Sequence, residues 1–443
     1  MEELLAGVAR AVITPPVGIP MVGFAGRGPA DDVQADLLAT TLALESGGKP
    51  VFVITLDLIG VSEGLAAEVR AEIARRTGVA DTQALLCASH THYGPATGAY
   101  ETDLPADVAA YVANLTFLLA GTAQEALAKK QPVWIGFAEG ITPIGVNRQE
   151  RRPDGQIVLG QNPEGACDRS VRLIRLDTAE GAPLAALVNV ACHPVSAAHA
   201  MRSLSPDYIG VMRALVEPAT GARCLFLQGA AGNINPIEMR HSFAPARRLG
   251  AMLGGTVVTL FEGTPTAPAE GLAFASAHLD LPAMGFASEA EGERSVTELQ
   301  ETLGRLRTEN APEGSLYWAE SRLQRAEQRL ESLRTGRPLP AVPAQMNALR
   351  LGDVALVTAP GEIFTETGME VKRRSPLPRA CFVGYTNGAI GYVPIPAAYA
   401  EGGYEVTHAC RVGPEAAGMI EKTALHLLEE VSSAPAVSEK SSR

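Results

Sequence analysis

Apolar runs of about five to eight residues recur along the chain, and each ends in a polar or small-residue cluster. The pattern predicts buried β-strands. In open α/β sheets ligands bind beyond the carboxyl ends of the strands, so these exits indicate a site, although polar residues also follow strands by chance in ordinary loops. The runs are 51–56 before Asp57, 84–88 before Ser89 and His90, 185–192 before His193, 224–227 before Gln228, and 354–357 before Glu362.

Helical periodicity occupies much of the sequence between these runs. Residues 62–76, 105–129 and 209–216 carry apolar side chains at spacings of three and four. The alternation predicts an α/β fold in which mixed β-sheets are flanked by helices. We expect one domain over residues 1–430, followed by a disordered tail at 431–443, where the composition is typical of disorder.

A second helical segment has a different composition. Residues 288–335 are rich in Glu, Arg, Gln and Leu with helical period, and the pattern breaks near 310–314. This predicts an exposed helical hairpin inserted between two parts of the core. We interpret its charged face as solvated, and a partner surface is the alternative.

Composition and charge narrow the class of protein. The 443 residues are 46% hydrophobic and 19% charged, with a net charge of −12 and no basic cluster interleaved with aromatics. A nucleic-acid partner is therefore not expected. No basic signal-peptide region is evident, and we find no apolar run of the roughly 18 to 20 residues that span a bilayer. The six scattered cysteines are typical of reduced thiols. We expect a cytoplasmic protein without stable membrane insertion, of undetermined oligomeric state.

Candidate metal ligands follow three of the apolar runs. His90 and His92 stand at i and i+2, so both imidazoles can face one cavity. His193 and Glu362 follow two further runs, and Gly361 would let the backbone turn towards a pocket. Each residue also has a simpler interpretation, as a loop or core histidine or as an acid at a helix start. Together, two imidazoles, a carboxylate and one further oxygen would make a zinc site with room for water.

These residues and later segments resemble the neutral/alkaline ceramidase family, zinc amidases that cleave N-acylsphingosines. The resemblance extends from about Gly7 to Thr407, apart from the hairpin. It implies that His90, His193, Glu362 and Tyr392 bind Zn²⁺ and that His92 faces the substrate carbonyl. The matching segments are GVARAVITPP with MVGFAGR, SHTHYGP, the segment of His193, PGEIFTETG, and GAIGYVPIPAAYAEGGYEV.

Three further residues, Tyr404, Arg148 and Asp57, are candidates for the site. The resemblance implies that Tyr404 is a second active-site tyrosine and that Arg148 reaches into the pocket. Without it, a tyrosine of this kind is typical of a sheet edge and a loop arginine of a solvated surface. Asp57 either orients a ligand histidine or closes a turn.

The chain departs from the family at Asn235, which stands in LQGAAGNINPIE where the family has its serine nucleophile. A carboxamide cannot form an acyl-enzyme by that route. The family's C-terminal immunoglobulin-like domain also has no evident counterpart. We therefore expect a divergent, bacterial-type member whose substrate is not ceramide.

The sequence predicts a zinc-dependent hydrolase that cleaves an amide (N-acyl) bond in a small acylated substrate. In this hypothesis zinc lowers the pKa of a water from about 15.7 towards about 7. His92 and Tyr404 would donate hydrogen bonds to the oxyanion, each worth roughly 3 to 4 kcal/mol, and Asn235 would assist there or position the leaving group. A zinc esterase or lactonase and a non-catalytic metal-binding scaffold are the alternatives. The sequence contains no GxGxxG after the first strand, no P-loop and no GxSxG.

Overall fold

The computed structural model describes residues 3–79, 83–99, 104–199, 201–269 and 271–433. Its strands are β1 (Leu5–Val12), β2 (Asp32–Val33), β3 (Leu38–Ser46), β4 (Lys49–Leu56), β5 (Ala84–Ala88), β6 (Gln131–Ile141), β7 (Gly145–Arg151), β8 (Ile157–Asn162), β9 (Ser170–Thr178), β10 (Pro183–Val190), β11 (Ser203–Leu204), β12 (Arg223–Gln228), β13 (Ile234–Pro236), β14 (Ala267–Pro268), β15 (Leu272–Leu281), β16 (Val342–Leu351), β17 (Val354–Thr358), β18 (Glu362–Ile363), β19 (Arg379–Val383) and β20 (Tyr392–Val393). Its helices are α1 (Glu63–Thr77), α2 (Ala106–Ala128), α3 (Tyr208–Thr220), α4 (Ala244–Gly263), α5 (Glu289–Thr308), α6 (Glu313–Thr335), α7 (Thr365–Arg374), α8 (Pro396–Glu401), α9 (Tyr404–Thr407) and α10 (Ala416–Ser433).

Two β-sheets pack face to face, and helices cover their outer faces. Within the described residues, the larger sheet has nine strands and the smaller sheet has the order β15-β16-β17-β19. Leu44 and Leu85 of the first sheet share a buried cluster with Leu349 and Leu356 of the second. The helices α1 and α2, together with α3 and α4, cover the larger sheet, while α7 and α10 cover the smaller one. This architecture confirms the predicted α/β fold with mixed sheets.

The apolar runs form the predicted strands, namely β4, β5, β10, β12 and β17. Three parallel pairs result, because β4 lies beside β5, β10 beside β12, and β17 beside β19. The run at 185–192 forms a shorter strand than expected, since β10 ends at Val190 and the following backbone turns towards His193. Parallel neighbours end at the same edge, so the polar exits lie close together.

The predicted hairpin is confirmed as the helices α5 and α6. The strands β15 and β16 pair along their full length, from Leu272 opposite Leu351 to Leu281 opposite Val342. The hairpin is inserted between these two strands and leaves their pairing intact. Ser288 caps α5, because its hydroxyl accepts a hydrogen bond from the Glu291 amide at 3.3 Å.

Three other expectations concern the chain as a whole. The helix α2, with 23 residues, is long and apolar enough to cross a membrane by length and composition alone. A single helix of this kind is weak evidence for a membrane span, and Leu115 and Leu119 of α2 are buried in the core, so the absence of stable membrane insertion stays a prediction. All six cysteines are free. The helix α10 extends to Ser433, and residues 434–443 of the predicted tail lie outside the described residues.

Candidate metal centre

Three strand exits deliver the predicted histidines and the predicted glutamate to one buried place. His90 lies two residues beyond β5, His193 follows β10, and Glu362 begins β18 just after β17. The side-chain amide of Gln228, at the end of β12, donates to the carbonyls of Ser89 at 3.0 Å and Cys192 at 2.8 Å. Gln228 therefore fixes the exits of three strands relative to one another.

The imidazole nitrogens converge on a single point. The Nε2 atom of His90 lies 3.2 Å from Nε2 of His193 and 3.1 Å from Nε2 of His92. The Oε2 atom of Glu362 lies 3.2 Å from Nε2 of His193 and 3.3 Å from Nε2 of His90. The structure thus brings together His90, His193 and Glu362 as predicted, and it adds the ring nitrogen of His92 to the same cluster.

The other ring nitrogen of each histidine donates to the backbone. The Nδ1 atom of His90 lies 2.6 Å from the Ile59 carbonyl, and that of His193 lies 2.7 Å from the Ala231 carbonyl. The Nδ1 atom of His92 lies 2.9 Å from the carbonyl of Gly23. A carbonyl can only accept, so each Nδ1 carries a proton, and a ring in its neutral form directs its Nε2 lone pair at the cluster. This pattern is typical of metal-binding histidines.

The electrostatics favour that protonation state. Burial lowers the pKa of His193 to about 3, with a further lowering by the positive charge of Arg148. Burial also places the pKa of His92 well below its ordinary value. Burial alone would raise the pKa of Glu362, but His90 and His193 outweigh it and hold that pKa well below the ordinary value. At neutral pH the rings of His92 and His193 are therefore neutral, and Glu362 is a carboxylate.

The backbone around the cluster adopts conformations that few residues allow. His90 has a φ of 67°, which is unusual for a residue with a side chain. Gly361 has a φ of 89°, as predicted for the turn that directs Glu362 inward. Gly23 has a φ of 106°, and a Cβ atom there would lie 2.8 Å from the His92 ring. Strained positions of this kind are concentrated at functional sites.

Three further predicted site residues, Tyr392, Tyr404 and Arg148, lie together beside this cluster. Tyr392 is paired in register with Glu362 across β18 and β20. The Arg148 guanidinium donates from Nε to Oε1 of Glu405 at 2.7 Å, and both side chains are buried. Its Cζ atom lies 5.3 Å from the Tyr392 ring centroid and 5.9 Å from that of Tyr404. Arg148 is therefore a buried partner of both tyrosines.

Asn235 and Asp57 make their contacts away from the cluster. The Asn235 carboxamide oxygen accepts from Nη1 of Arg148 at 3.2 Å, and its nitrogen lies 3.6 Å from the Met239 sulfur. The carboxylate of Asp57 accepts from Arg213 at 2.6 Å and from the Leu38 amide at 2.9 Å. Of the two interpretations of Asp57, these contacts match the structural one. A direct contact of Asn235 with substrate stays a prediction.

A cavity of about 310 Å³ opens onto the cluster. One wall consists of His90, His92, Glu362, Tyr392 and Tyr404, and the inserted hairpin supplies the opposite wall. The face of the hairpin predicted to be solvated is thus partly a cavity wall, which is a correction to the sequence analysis. Its lining residues are Thr302, Leu306, Ser315, Trp318, Ala319 and Arg322.

Two supporting residues were not found by sequence reasoning. The Arg27 guanidinium donates to the carbonyls of Val22 and His92, each at 2.6 Å, and so fixes the backbone that carries His92. The ring of Tyr385 lies 4.3 Å from the ring of His90, and its buried hydroxyl has no hydrogen-bond partner among the described residues. Arg27 lies in the segment MVGFAGR, for which the resemblance to the ceramidase family indicates a strand and a glycine turn but no role for the arginine. No sequence signal distinguishes Tyr385.

The donor set fits a divalent cation. Lone pairs and a carboxylate oxygen that face one another at little more than 3 Å repel unless a positive charge lies between them. Three imidazoles and a carboxylate, with a tyrosine on the same face as the carboxylate, are nitrogen and oxygen ligands of the kind that zinc accepts. The residues His90, His92 and His193 could therefore hold a metal ion.

Comparison with solved structures confirms the fold. The chain is similar to a crystal structure of neutral ceramidase from Pseudomonas aeruginosa, at 18% identity and a TM-score of 0.72, over 97% of this chain and 75% of that chain. It is also similar to a ceramidase complexed with C2, at 18% identity and a TM-score of 0.75, over 100% of this chain and 77% of that one. No protein-family model and no curated protein matches the sequence. The similarities establish a neutral-ceramidase-like fold.

Proposed function

From this neutral-ceramidase-like fold and its histidine cluster, we propose that the chain is a zinc-dependent hydrolase that cleaves the amide bond of a small acylated molecule. The observation that carries the proposal is the convergence of three histidine Nε2 atoms and a carboxylate beside a cavity. His90, His193, Glu362 and Tyr392 would hold the ion. When bound, zinc supplies Lewis acidity that polarises a carbonyl group and favours deprotonation of water.

His92 is suited to move a proton. Its Nδ1 proton is donated to the Gly23 carbonyl, so its Nε2 atom is an acceptor in the resting protein. We propose that Nε2 takes up the proton of the attacking water and that the resulting imidazolium then donates to the leaving nitrogen. In this sequence of steps His92 first accepts a proton. Only afterwards can its Nε2 atom donate a hydrogen bond to the oxyanion, which is the role predicted from the sequence.

Tyr404 is suited to donate a hydrogen bond. Burial raises its pKa above the ordinary value, so the hydroxyl keeps its proton at neutral pH. Its ring lies 5.9 Å from the ring of Tyr392 and lines the same cavity. We propose that the Tyr404 hydroxyl stabilises the negative charge that develops on the substrate oxygen.

Arg148 and Asn235 would hold the two tyrosines in position. Burial disfavours the charge of Arg148, but Tyr392 and Glu405 outweigh that effect and raise its pKa. Arg148 therefore stays charged beside the two tyrosines. Its Nη1 atom donates a hydrogen bond to the side-chain oxygen of Asn235 at 3.2 Å. We propose that Arg148 orients Tyr392 and Tyr404, and that Asn235 positions Arg148.

The first experiment measures bound metal. Purified wild type, His90→Ala and Glu362→Ala are compared by elemental analysis, with His278→Ala, an exposed histidine on β15, as the matched control. We expect about one zinc per chain in wild type and the control, and loss of zinc in both site variants. Wild type without metal after zinc is supplied would contradict the proposal.

The second experiment tests the reaction. Amide and ester pairs with the same acyl group are assayed with and without a chelator, because the proposed arrangement can attack either bond. Chelator-sensitive amide hydrolysis supports the proposal, and hydrolysis of esters alone favours the esterase alternative. Bound zinc without turnover of any pair would favour a non-catalytic scaffold.

A further inference from the structure

The helical hairpin contributes arginines to a second cavity, which adjoins the one at the metal centre. This second cavity has a volume of about 290 Å³ and shares the lining residues Thr302, Arg322 and His408 with the first. Arg322, Arg325 and Arg329 all line it. They stand at spacings of three and four residues on α6, so they lie on one face of the helix.

Among the described residues, none of these three arginines forms an ion pair with Asp or Glu. Two of these arginines donate hydrogen bonds to uncharged acceptors. Nη1 of Arg325 donates to the Ser321 hydroxyl at 2.6 Å, and Nη2 of Arg329 donates to the Cys410 carbonyl at 3.0 Å. Most of the donor capacity of three guanidinium groups therefore remains available to a ligand.

The arrangement is electrostatically unfavourable without an anion. Burial, together with the positive charges of Arg329, Arg411 and Arg322, lowers the pKa of Arg325 to about 10. Guanidinium groups stay charged at neutral pH, so partly desolvated like charges repel within this cavity. Elsewhere in the chain, by contrast, buried Arg148 is neutralised by Glu405.

Other titratable groups do not remove this positive charge. Glu291 and Glu298 also line the cavity, but both are exposed, and the Glu291 carboxylate accepts from the Ala287 amide at 2.9 Å. Burial lowers the pKa of His408 to about 4, with Arg322 lowering it further, so this ring is neutral at pH 7. In a chain with a net charge of −12, the cavity is a local positive region.

We infer that this cavity is an anion-binding subsite, in which Arg322, Arg325 and Arg329 hold a carboxylate or phosphate group of the substrate. The inference rests on the proposed function, because the two cavities adjoin through Arg322 and could accommodate two parts of one molecule. Guanidinium groups bind both kinds of oxyanion with paired, charge-assisted hydrogen bonds. An N-acylsphingosine carries no such group, so the inference separates this chain from the substrate of the family that it resembles.

Anion binding is tested independently of catalysis. Binding of inorganic phosphate is measured by calorimetry on full-length protein from which metal has been removed, so that the metal cannot bind the anion. We expect Arg325→Gln and Arg329→Gln to weaken binding by about tenfold each. Arg294→Gln on α5 removes the same charge from an exposed position outside the cavity and should leave binding unchanged. Equal binding by wild type and both cavity variants would overturn the inference.

The link to the substrate is tested with zinc-loaded protein. The substrates are acyl amides that carry a terminal carboxylate, either on the acyl side or on the amine side. The distance between the carboxylate and the amide increases along each series. Each substrate is compared with a neutral analogue in which a primary carboxamide replaces the carboxylate. Matching pairs with a phosphate in place of the carboxylate distinguish the two anions. We expect a kcat/KM about tenfold higher for the best anionic member, and loss of that preference in Arg322→Gln and Arg325→Gln with zinc content unchanged.

The outcomes separate the two proposals. Hydrolysis of neutral and anionic members at equal rates would overturn the anionic subsite and leave the proposed hydrolase standing. Arginine-dependent phosphate binding with no hydrolysis of any member would overturn the proposed function and support the anion site. Hydrolysis with an anionic preference that Arg294→Gln retains and Arg325→Gln loses would support both.

Discussion

Glu362 and Tyr392 lie directly opposite each other in a two-stranded parallel ladder formed by β18 and β20. The Glu362 amide donates to the Gly391 carbonyl at 2.9 Å, which fixes the register. Register partners in a parallel pair direct their side chains to the same face. Two short strands thus present a carboxylate and a phenol side by side, at the edge where the histidines arrive.

Gly361→Ala is expected to lower zinc affinity. A Cβ atom at this residue would lie 2.6 Å from Ile390, in a backbone with a φ of 89° that alanine disfavours. We expect a loss of about 1 to 3 kcal/mol of unfolding free energy together with weaker zinc binding, measured by denaturation and metal titration. Gly48→Ala is the control, because Gly48 also has a positive φ but nothing near its Cβ position. Equal effects of the two variants on zinc affinity would contradict the role of Gly361.

His92→Ala and His90→Ala are expected to differ in metal content. The predicted ligand set contains His90 and not His92, so His92→Ala should retain zinc and lose activity by about 100-fold or more. His90→Ala should lose both. Elemental analysis beside an activity assay makes the comparison. Loss of zinc in His92→Ala would instead identify His92 as a ligand, as its 3.1 Å approach to Nε2 of His90 allows.

Arg148→Met is expected to destabilise the protein by about 3 to 5 kcal/mol, because it leaves the Glu405 carboxylate buried without its partner. The double variant Arg148→Met with Glu405→Gln should recover part of that loss. Arg151→Met, on the same strand, removes a half-exposed ion pair with Glu401 and should change stability by less than about 1 kcal/mol. Chemical denaturation measures all of these. A small effect of Arg148→Met would show that this ion pair does not stabilise the fold.

Asp207 should make stability depend on pH. Burial raises its pKa from 3.8 to about 6, although hydrogen bonds from Ser196 and Tyr208 oppose the shift. A raised pKa stabilises the fold below pH 4, and this contribution is lost as the pH rises through 6. The slope is at most about 1.4 kcal/mol per pH unit. Asp207→Asn should abolish this component in denaturation curves at several pH values, and an unchanged pH profile would contradict the assignment.

Excision of the hairpin should leave the metal centre intact. Leu281 and Val342 are opposite each other at the end of the ladder, so a short turn can join them directly. We expect the shortened chain to fold and bind zinc, and its KM to rise because Trp318 and its neighbours no longer close the cavity. Circular dichroism, metal analysis and kinetics test this. An unchanged KM would show that the hairpin does not contact the substrate.

The strand exits were the part of the site that the sequence could predict. The run before His90 and the run before Glu362 have the length and side chains of buried strands, and the carboxyl ends of such strands meet at one edge of a sheet. Gly361 was predictable because a turn there needs a positive φ. The hairpin was predictable from its helical period and its change of composition.

The orientation of the hairpin was not predictable. Its exposed and cavity-facing sides both carry arginines, and local periodicity does not reveal which side meets the body of the protein. Tyr385 and Arg27 were missed for a similar reason. Both act through contacts with residues distant in sequence, Tyr385 beside His90 and Arg27 on the carbonyl of His92. Such contacts follow from the packing of several segments at once.

The two walls of the cavity are built from the chain in different ways. The candidate ligands come from segments scattered between His90 and Tyr392, each held by the surrounding sheets. The opposite wall comes from one continuous segment that enters and leaves between β15 and β16. A single insertion, deletion or exchange at that point would therefore replace one wall of the cavity without altering a candidate ligand. If the proposed function holds, grafting a different hairpin is a direct route to a new specificity.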